Sequence, residues 1–296
     1  MMTMRAIVQT KNGVALQEKK IPHACDRNSV LIKVTLAGLC RTDLYVAQHK
    51  IPVDEGRTLG HEFTGIVEKI GPGVEGIQQG QRVCVMPVFL NDNGYSMLGI
   101  EIDGAYADYV MVPASNVYPI PDHLSLEEAA FMEPVAASLA VCNAPIEPHQ
   151  RGLIYGSNRI AELTRRILNI KGFYSIDLCV DNQMPNTVNE YDFIIETSPT
   201  AAAFENIVRL VKRNGLILLK SRPFLAIPLP VTMIVKKELR LIGVNYGDFK
   251  ESIELLATQR LDVNDLFGQT YSFDDAIPIL LGEKIVAEDK KIFFKP

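Results

Sequence analysis

The run VLIKVTLAGLCRTDL (Val30–Leu44) passes from a β-branched stretch through a glycine into a cysteine, a threonine and an aspartate. Val30–Val34 reads as a strand, so Cys40, Thr42 and Asp43 fall just beyond it, where a loop or short helix presents side chains from a rigid scaffold. Two further runs carry the same kind of side chain: LGHEFTGIV (Leu59–Val67) holds His61 and Glu62, and MEPVAASL (Met132–Leu139) holds Glu133. A soft thiolate, an imidazole and carboxylates form a ligand set that suits Zn²⁺, and catalytic zinc sites keep one position open for water or substrate. Taken singly, these residues read as a buried cysteine, a core histidine and solvated glutamates. Together they make Cys40, His61, Glu62 and Glu133 the candidate metal ligands.

Outward from these runs, residues 1 to about 140 show short β-branched stretches separated by Gly/Pro turns, including Thr64–Ile70 and Arg82–Pro87. That pattern predicts a partly closed, β-rich domain. Ser125–Asn143 reads as a helix, with Ser125 as cap and Glu128 at the capping-box position. After Pro145 and Pro148 the period changes. Gly152–Tyr155, Tyr191–Glu196 and Leu216–Lys220 read as buried strands. Asn158–Lys171, Ala201–Lys212 (ending at Asn214-Gly215) and Glu251–Thr258 read as helices. Alternating strand and helix predicts a parallel sheet covered on both faces.

The 296 residues suffice for two cores. A net charge of -5 gives no electrostatic reason for a nucleic acid or anionic membrane partner. No apolar run is long enough to span a bilayer; Leu216–Val231 is interrupted by charges and prolines. The start lacks a secretory profile. Cys25, Cys40, Cys84, Cys142 and Cys179 form no C-x-x-C pair, so a reducing cytoplasm is expected. Cys84 and Cys142 read as inert core thiols.

The three ligand-bearing runs resemble the zinc-dependent medium-chain dehydrogenase/reductase family, the relatives of alcohol, sorbitol and threonine dehydrogenases. So do MRAIV (Met4–Val8), IGPGVEGIQQGQRVCV (Ile70–Val85), GAYADYVMVP (Gly104–Pro113) and KKIFFKP (Lys290–Pro296). The resemblance implies an α/β protein. A β-rich GroES-like catalytic domain (1–143 and 265–296) would join a reduced, Rossmann-like, doubly wound parallel-sheet domain (144–264). It implies that Cys40 and His61 ligate zinc with Glu62, Glu133 or both. Asp43 would accept a hydrogen bond from His61 and fix its tautomer. Thr42 would pass a proton from the substrate. Tyr45 stands where several relatives carry a proton-relaying histidine, with His49 nearby as an alternative. Relatives often carry four closely spaced cysteines for a structural zinc; Met86–Asp103 contains none, so ligand count excludes that site.

The cofactor half follows the pattern less closely. GLIYGSNRIAELTRRIL (Gly152–Leu168) has the strand–turn–helix layout of a dinucleotide site, with Gly156 present, Asn158 in place of the second glycine and Ala161 at the third. Arg159 is a candidate phosphate contact. Asp177, or else Asp181, is the candidate ribose-binding acid, and Thr197–Pro199 are candidate neighbours of the nicotinamide. Too few residues lie between Asp181 and Tyr191 for the usual helix and strand. The resulting expectation is a zinc- and NAD- or NADP-dependent oxidoreductase. It would interconvert a polyol- or amino-alcohol-type alcohol with a ketone or aldehyde. A non-redox zinc enzyme (lyase or hydratase) or a binding protein on the same fold stands as the alternative. A homo-oligomer (dimer or tetramer) is implied by the resemblance, with Pro228–Val235 near the contact.

Overall fold

β1 (Thr3–Thr10) and β2 (Gly13–Lys20) form an antiparallel hairpin, and the chain then builds a larger sheet. β3 (Ser29–Gly38) ends at α1 (Arg41–Ala47), and β4 (Glu62–Ile70) and β5 (Arg82–Val85) follow. A second hairpin, β6 (Val88–Asn91) and β7 (Gly94–Met97), precedes β8 (Tyr109–Pro113), β9 (Val117–Pro119), α2 (Leu126–Ala130) and α3 (Met132–Leu139). The computed structural model describes residues 2–22, 26–91, 94–179, 185–285 and 290–296.

Two compact units result, one of Met1–Glu133 with Val263–Pro296, the other of Pro134–Asp262. The divisions fall at 133/134 and 262/263, where the sequence suggested 143/144 and 264/265. The physical reason is packing. Val141 and Ala144 belong to the apolar cluster of the second unit, and Gly247 N donates to Ala136 O. The single helix expected over Ser125–Asn143 is divided into α2, α3 and a 3₁₀ turn at Ala140–Asn143. Ser125 caps it as expected: its Oγ accepts from Glu128 N at 3.1 Å, and Glu128 Oε2 accepts from Ser125 N at 2.8 Å.

The second unit holds β10 (Gly152–Tyr155), α4 (Arg159–Ile170), β11 (Ile176–Cys179), β12 (Tyr191–Glu196) and α5 (Ala201–Leu210). β13 (Val211–Leu219), α6 (Val231–Lys237), β14 (Arg240–Gly243) and α7 (Phe249–Ala257) complete it. The strands lie in the order β11-β10-β12-β13-β14 and pair parallel throughout. α4 covers one face, where Ala161 and Leu168 pack on Ile154, Phe193 and Ile195. α5 covers the other, with Ala203 and Ile207 on Leu153, Tyr155 and Ile194. α5 ends two residues before the expected Lys212. Val211 pairs with Tyr191 in the sheet, and Lys237 Nζ binds the Val208, Arg209 and Val211 carbonyls.

The chain then returns through β15 (Phe267–Ser272), α8 (Phe273–Leu280) and β16 (Lys291–Lys295) to the first unit. There the sheet order is β15-β16-β3-β4-β5-β9, with β8 also on β3. β4 occupies one edge of β3 over its length, so β8 and β16 share the other.

Phe193 is 1 % exposed and meets Phe173 edge-to-face at 6.1 Å. Phe193→Ala leaves a cavity beneath α4 and should cost about 3–5 kcal/mol in denaturant unfolding of the second unit. A loss below about 1 kcal/mol would mean that the site collapses around the void.

Candidate functional site

β3 and β4 pair with Gly38 opposite Glu62, and this register brings Cys40 beside His61. Cys40 caps α1, and its N–H donates to Asp43 Oδ2 at 3.0 Å. The turn before His61 is clamped by backbone bonds from two distant segments. Leu59 N donates to Ile7 O at 3.1 Å; Gly104 N, Ala105 N and Tyr106 N donate to Thr58 O, Gly60 O and Leu59 O at 2.8, 2.9 and 2.8 Å. Gly60 lies at φ +94°, and a Cβ there would stand 2.4 Å from the Tyr106 ring. Only glycine suits both the backbone and the space. The ligand atoms of Cys40, His61 and Glu62 lie within 4.8 Å of one another.

Asp43, His61, Glu62 and Glu133 are all buried, and Cys40 is partly exposed. His61 Nδ1 lies 3.2 Å from Asp43 Oδ1, on an oblique approach. His61 Nε2 makes no hydrogen bond among the described residues. A buried imidazole nitrogen beside a thiol and a carboxylate is the donor arrangement a soft-to-borderline cation needs, so these residues fit zinc. Burial alone would lower the His61 pKa, but the Asp43 charge and then the Cys40 charge hold it well above the ordinary value. Burial would raise Asp43; the His61 charge and the hydrogen bonds from His61, Cys40 N and Tyr106 keep it below. Burial likewise opposes ionisation of Cys40, yet the neighbouring His61 brings the thiol down to about 7, with Asp43 and Glu133 resisting.

Glu133, in the first turn of α3, stands close enough to Cys40 to act on its charge but lies outside the compact Cys40–His61–Glu62 set. Thr42 Oγ1 lies 3.7 Å from Cys40 Sγ. His49 is exposed and turned to the β1–β2 hairpin, where its ring meets Gln9 Nε2 and accepts from Gly13 N. Its contacts are therefore those of a surface turn. Lys291, within the KKIFFKP run, has a role that the sequence alone does not reveal. It is fully buried on β16, ion-paired with Glu62 Oε2, and burial pulls it down to about 8 against the pull of Cys40 and Asp43. A lysine inside the apolar strand KKIFF was the signal that could have found it.

In the second unit, the strand order reverses between β10 and β12. Open α/β sheets bind ligands at such a switch point, outside the carboxyl ends of the strands. Gly156, Asn158 and Thr197 meet there. Gly156 lies at φ +128°, and a Cβ on it would stand 2.2 Å from Thr197 Oγ1. Asn158 caps α4: its Oδ1 accepts from Ala161 N at 3.1 Å, and its Nδ2 donates to Thr197 O at 2.7 Å. Arg159 opens α4. The turn and the helix N-terminus fit a pyrophosphate.

Asp177 does not fit the ribose. It is level with Leu153, two residues before the carboxyl end of β11, and its carboxylate binds Arg151 (3.0 Å) and Tyr191 Oη (2.9 Å), which stand at the amino ends of β10 and β12, away from the switch point. Structural pairing, which the sequence could not reveal, fixes it there. Asp181 lies outside the described residues. Sequence reading also missed Glu196, buried at the end of β12, whose Oε2 accepts from Ser221 Oγ at 2.6 Å.

The Cys40 thiol provides a pH test. In metal-free protein, the 240 nm thiolate absorbance lost in Cys40→Ser should rise with pH through a midpoint near 7. A midpoint near the ordinary thiol value of 9.0 would mean that His61 does not face the thiol.

Comparison with known proteins places this geometry. Residues 26–122 match the alcohol dehydrogenase GroES-like domain. A D-xylulose reductase of Morganella morganii is 25 % identical over 325 aligned residues, covering 93 % of this chain and 96 % of the relative. That alignment is longer than the 296-residue chain, so the relative carries segments absent here. An alcohol dehydrogenase (rspB) of Escherichia coli CFT073 complexed with NADH superposes with a TM-score of 0.85 at 22 % identity, over 99 % of each chain. A cobalt- and zinc-bound alcohol dehydrogenase of Pyrobaculum aerophilum superposes with a TM-score of 0.86 at 20 % identity, over 100 % of each. Residues 26–122 thus carry the alcohol dehydrogenase GroES-like domain, and over nearly its whole length the chain is similar to D-xylulose reductases and alcohol dehydrogenases.

Proposed function

We propose that the chain is a zinc-dependent oxidoreductase that interconverts an alcohol of polyol or amino-alcohol type and its ketone or aldehyde, with NAD or NADP as hydride carrier. The observation that carries this reading is the buried Cys40–His61–Glu62 cluster with Asp43 behind the imidazole. Cys40 Sγ, His61 Nε2 and the Glu62 oxygen not engaged by Lys291 would hold the metal, with Glu133 near the remaining position. Bound there, zinc supplies Lewis acidity toward the substrate oxygen, and a nicotinamide supplies the hydride acceptor.

The chain's own residues do the rest. Asp43 Oδ1 faces Nδ1, where it would accept a hydrogen bond from Nδ1–H and so direct Nε2 to the cluster. Thr42 Oγ1, beside the Cys40 thiol at 3.7 Å, would receive the substrate's proton. Lys291 balances the Glu62 carboxylate, both side chains being buried. Gly156, Asn158 and the N-terminus of α4 receive the pyrophosphate, with Arg159 as a further phosphate contact and Thr197 at the crevice edge. The polyol class is supported by the D-xylulose reductase relative.

Metal analysis of purified protein should find about one zinc per chain, and NADH or NADPH fluorescence should titrate to saturation. Cys40→Ser should lose both the metal and alcohol oxidation. Oxidation retained by metal-free protein would refute the mechanism, and zinc without any dinucleotide binding would favour the non-redox alternative.

We infer further that the chain forms a homo-oligomer through its second unit. β14 is an edge strand, and α6 buries none of its residues. Val231, Val235 and Leu225 are 62 %, 68 % and 66 % exposed, an apolar surface that a monomer rarely presents to water. The same edge on two copies would close a two-fold contact. A reducing cytoplasm suits Cys40, Cys84, Cys142 and Cys179, all free thiols. No helix among the described residues is long and apolar enough to cross a membrane. Light scattering should report a dimer or tetramer, and Val235→Glu should reduce its mass. A wild-type monomer at micromolar concentration would exclude the interface.

A further inference from the structure

The structure assigns Tyr106 a positioning role at the metal centre: its hydroxyl locks Asp43 so that the carboxylate holds His61 in ligating orientation. This rests on the reading of Cys40, His61 and Glu62 as metal ligands. Tyr106 is fully buried, and its Oη lies 2.8 Å from Asp43 Oδ2 and 3.0 Å from Gly38 O. Both neighbours are acceptors and the hydroxyl has one proton, which goes to the nearer and charged Asp43 Oδ2. Asp43 Oδ2 also accepts from Cys40 N, which leaves Oδ1 to face His61 Nδ1. Three groups thus act on one carboxylate: the start of α1, the Tyr106 hydroxyl and the imidazole.

Packing needs only the ring of Tyr106. It lies against the Gly60 turn and meets Phe294 edge-to-face at 5.2 Å. A phenylalanine would fill that space, and a buried hydroxyl is costly unless bonded. The hydroxyl therefore serves Asp43. The backbone of Tyr106 is tied to the segment that carries His61, through Tyr106 N to Leu59 O, and to β1 through Ile7 N to Tyr106 O. Its Oη consequently has one place to be. Without it, Asp43 loses a donor that opposes rotation of the carboxylate, and the imidazole loses a fixed acceptor. Partners of ligating histidines set metal affinity by factors on the order of 10–100. Tyr106 acts one bond further out, so an effect of roughly tenfold is expected.

The test uses Co²⁺ as a spectroscopic probe in the full chain, in competition with a chelator. The variants are Tyr106→Phe, Asp43→Asn and the double variant, with thermal unfolding of each metal-free protein as a folding control. Wild type should show a thiolate-to-cobalt charge-transfer band together with ligand-field bands. Tyr106→Phe should weaken Co²⁺ binding roughly tenfold and alter the ligand-field bands; in the Asp43→Asn background it should change neither. Unaltered affinity and spectrum in folded Tyr106→Phe would overturn the assignment, as would an equal effect in the Asp43→Asn background. Should Tyr106→Phe not fold, an unchanged cobalt spectrum in Asp43→Asn overturns it instead. Wild type that binds no Co²⁺ would refute the metal centre itself, a separate result.

Discussion

Asp43, His61, Glu62, Glu133 and Lys291 are buried within one unit, and the site depends on their mutual compensation. An isolated buried charge is costly, and removing one partner from a buried pair typically costs about 3–5 kcal/mol. Lys291 faces Glu62, while Asp43 faces His61 and accepts from Cys40 N and Tyr106. The strand carrying Lys291 also supplies Phe294 to the Tyr106 ring. The last residues of the chain thus support two sides of the cluster. A fold without β16 would leave Glu62 uncompensated and the Tyr106 ring without Phe294.

The second unit shows what a shortened dinucleotide fold retains. With little chain between β11 and β12, β10 pairs with β11 and β12 on its two sides, and β11 becomes an edge. The switch point survives because it needs only β10 and β12. The Gly156 turn survives for the same reason, since its close approach to Thr197 belongs to those two strands. Asn158 ends up tied to both α4 and the end of β12, a role in which the second glycine of the usual pattern could not serve.

Most of the candidate metal site was legible before any coordinates. Ligand chemistry is carried by residue type, and each run lay near a strand end recognisable from its β-branched neighbours. Cys40, His61 and Glu62 accordingly come together. Glu133 was named with them but stands slightly apart, because α3 begins one residue before it and sets its distance. The Asp177 expectation failed for a physical reason. Spacing along the chain places an acid near a strand, but only pairing shows which end of the strand it occupies. Its partners, Arg151 and Tyr191, come from two other strand ends.

By itself the sequence determined the donor atoms, the strand–helix alternation and the missing segment of the second unit, because residue chemistry and periodicity are local properties. Tertiary structure alone decided the compensation of charge: that Lys291 meets Glu62, that Tyr106 holds Asp43, and that His49 turns to the β1–β2 hairpin. Those contacts join residues tens to hundreds of positions apart. They follow from sheet register and from the return of the C-terminal strand, which no local pattern encodes. Burial strengthens their electrostatics, and burial exists only once the fold has closed around them.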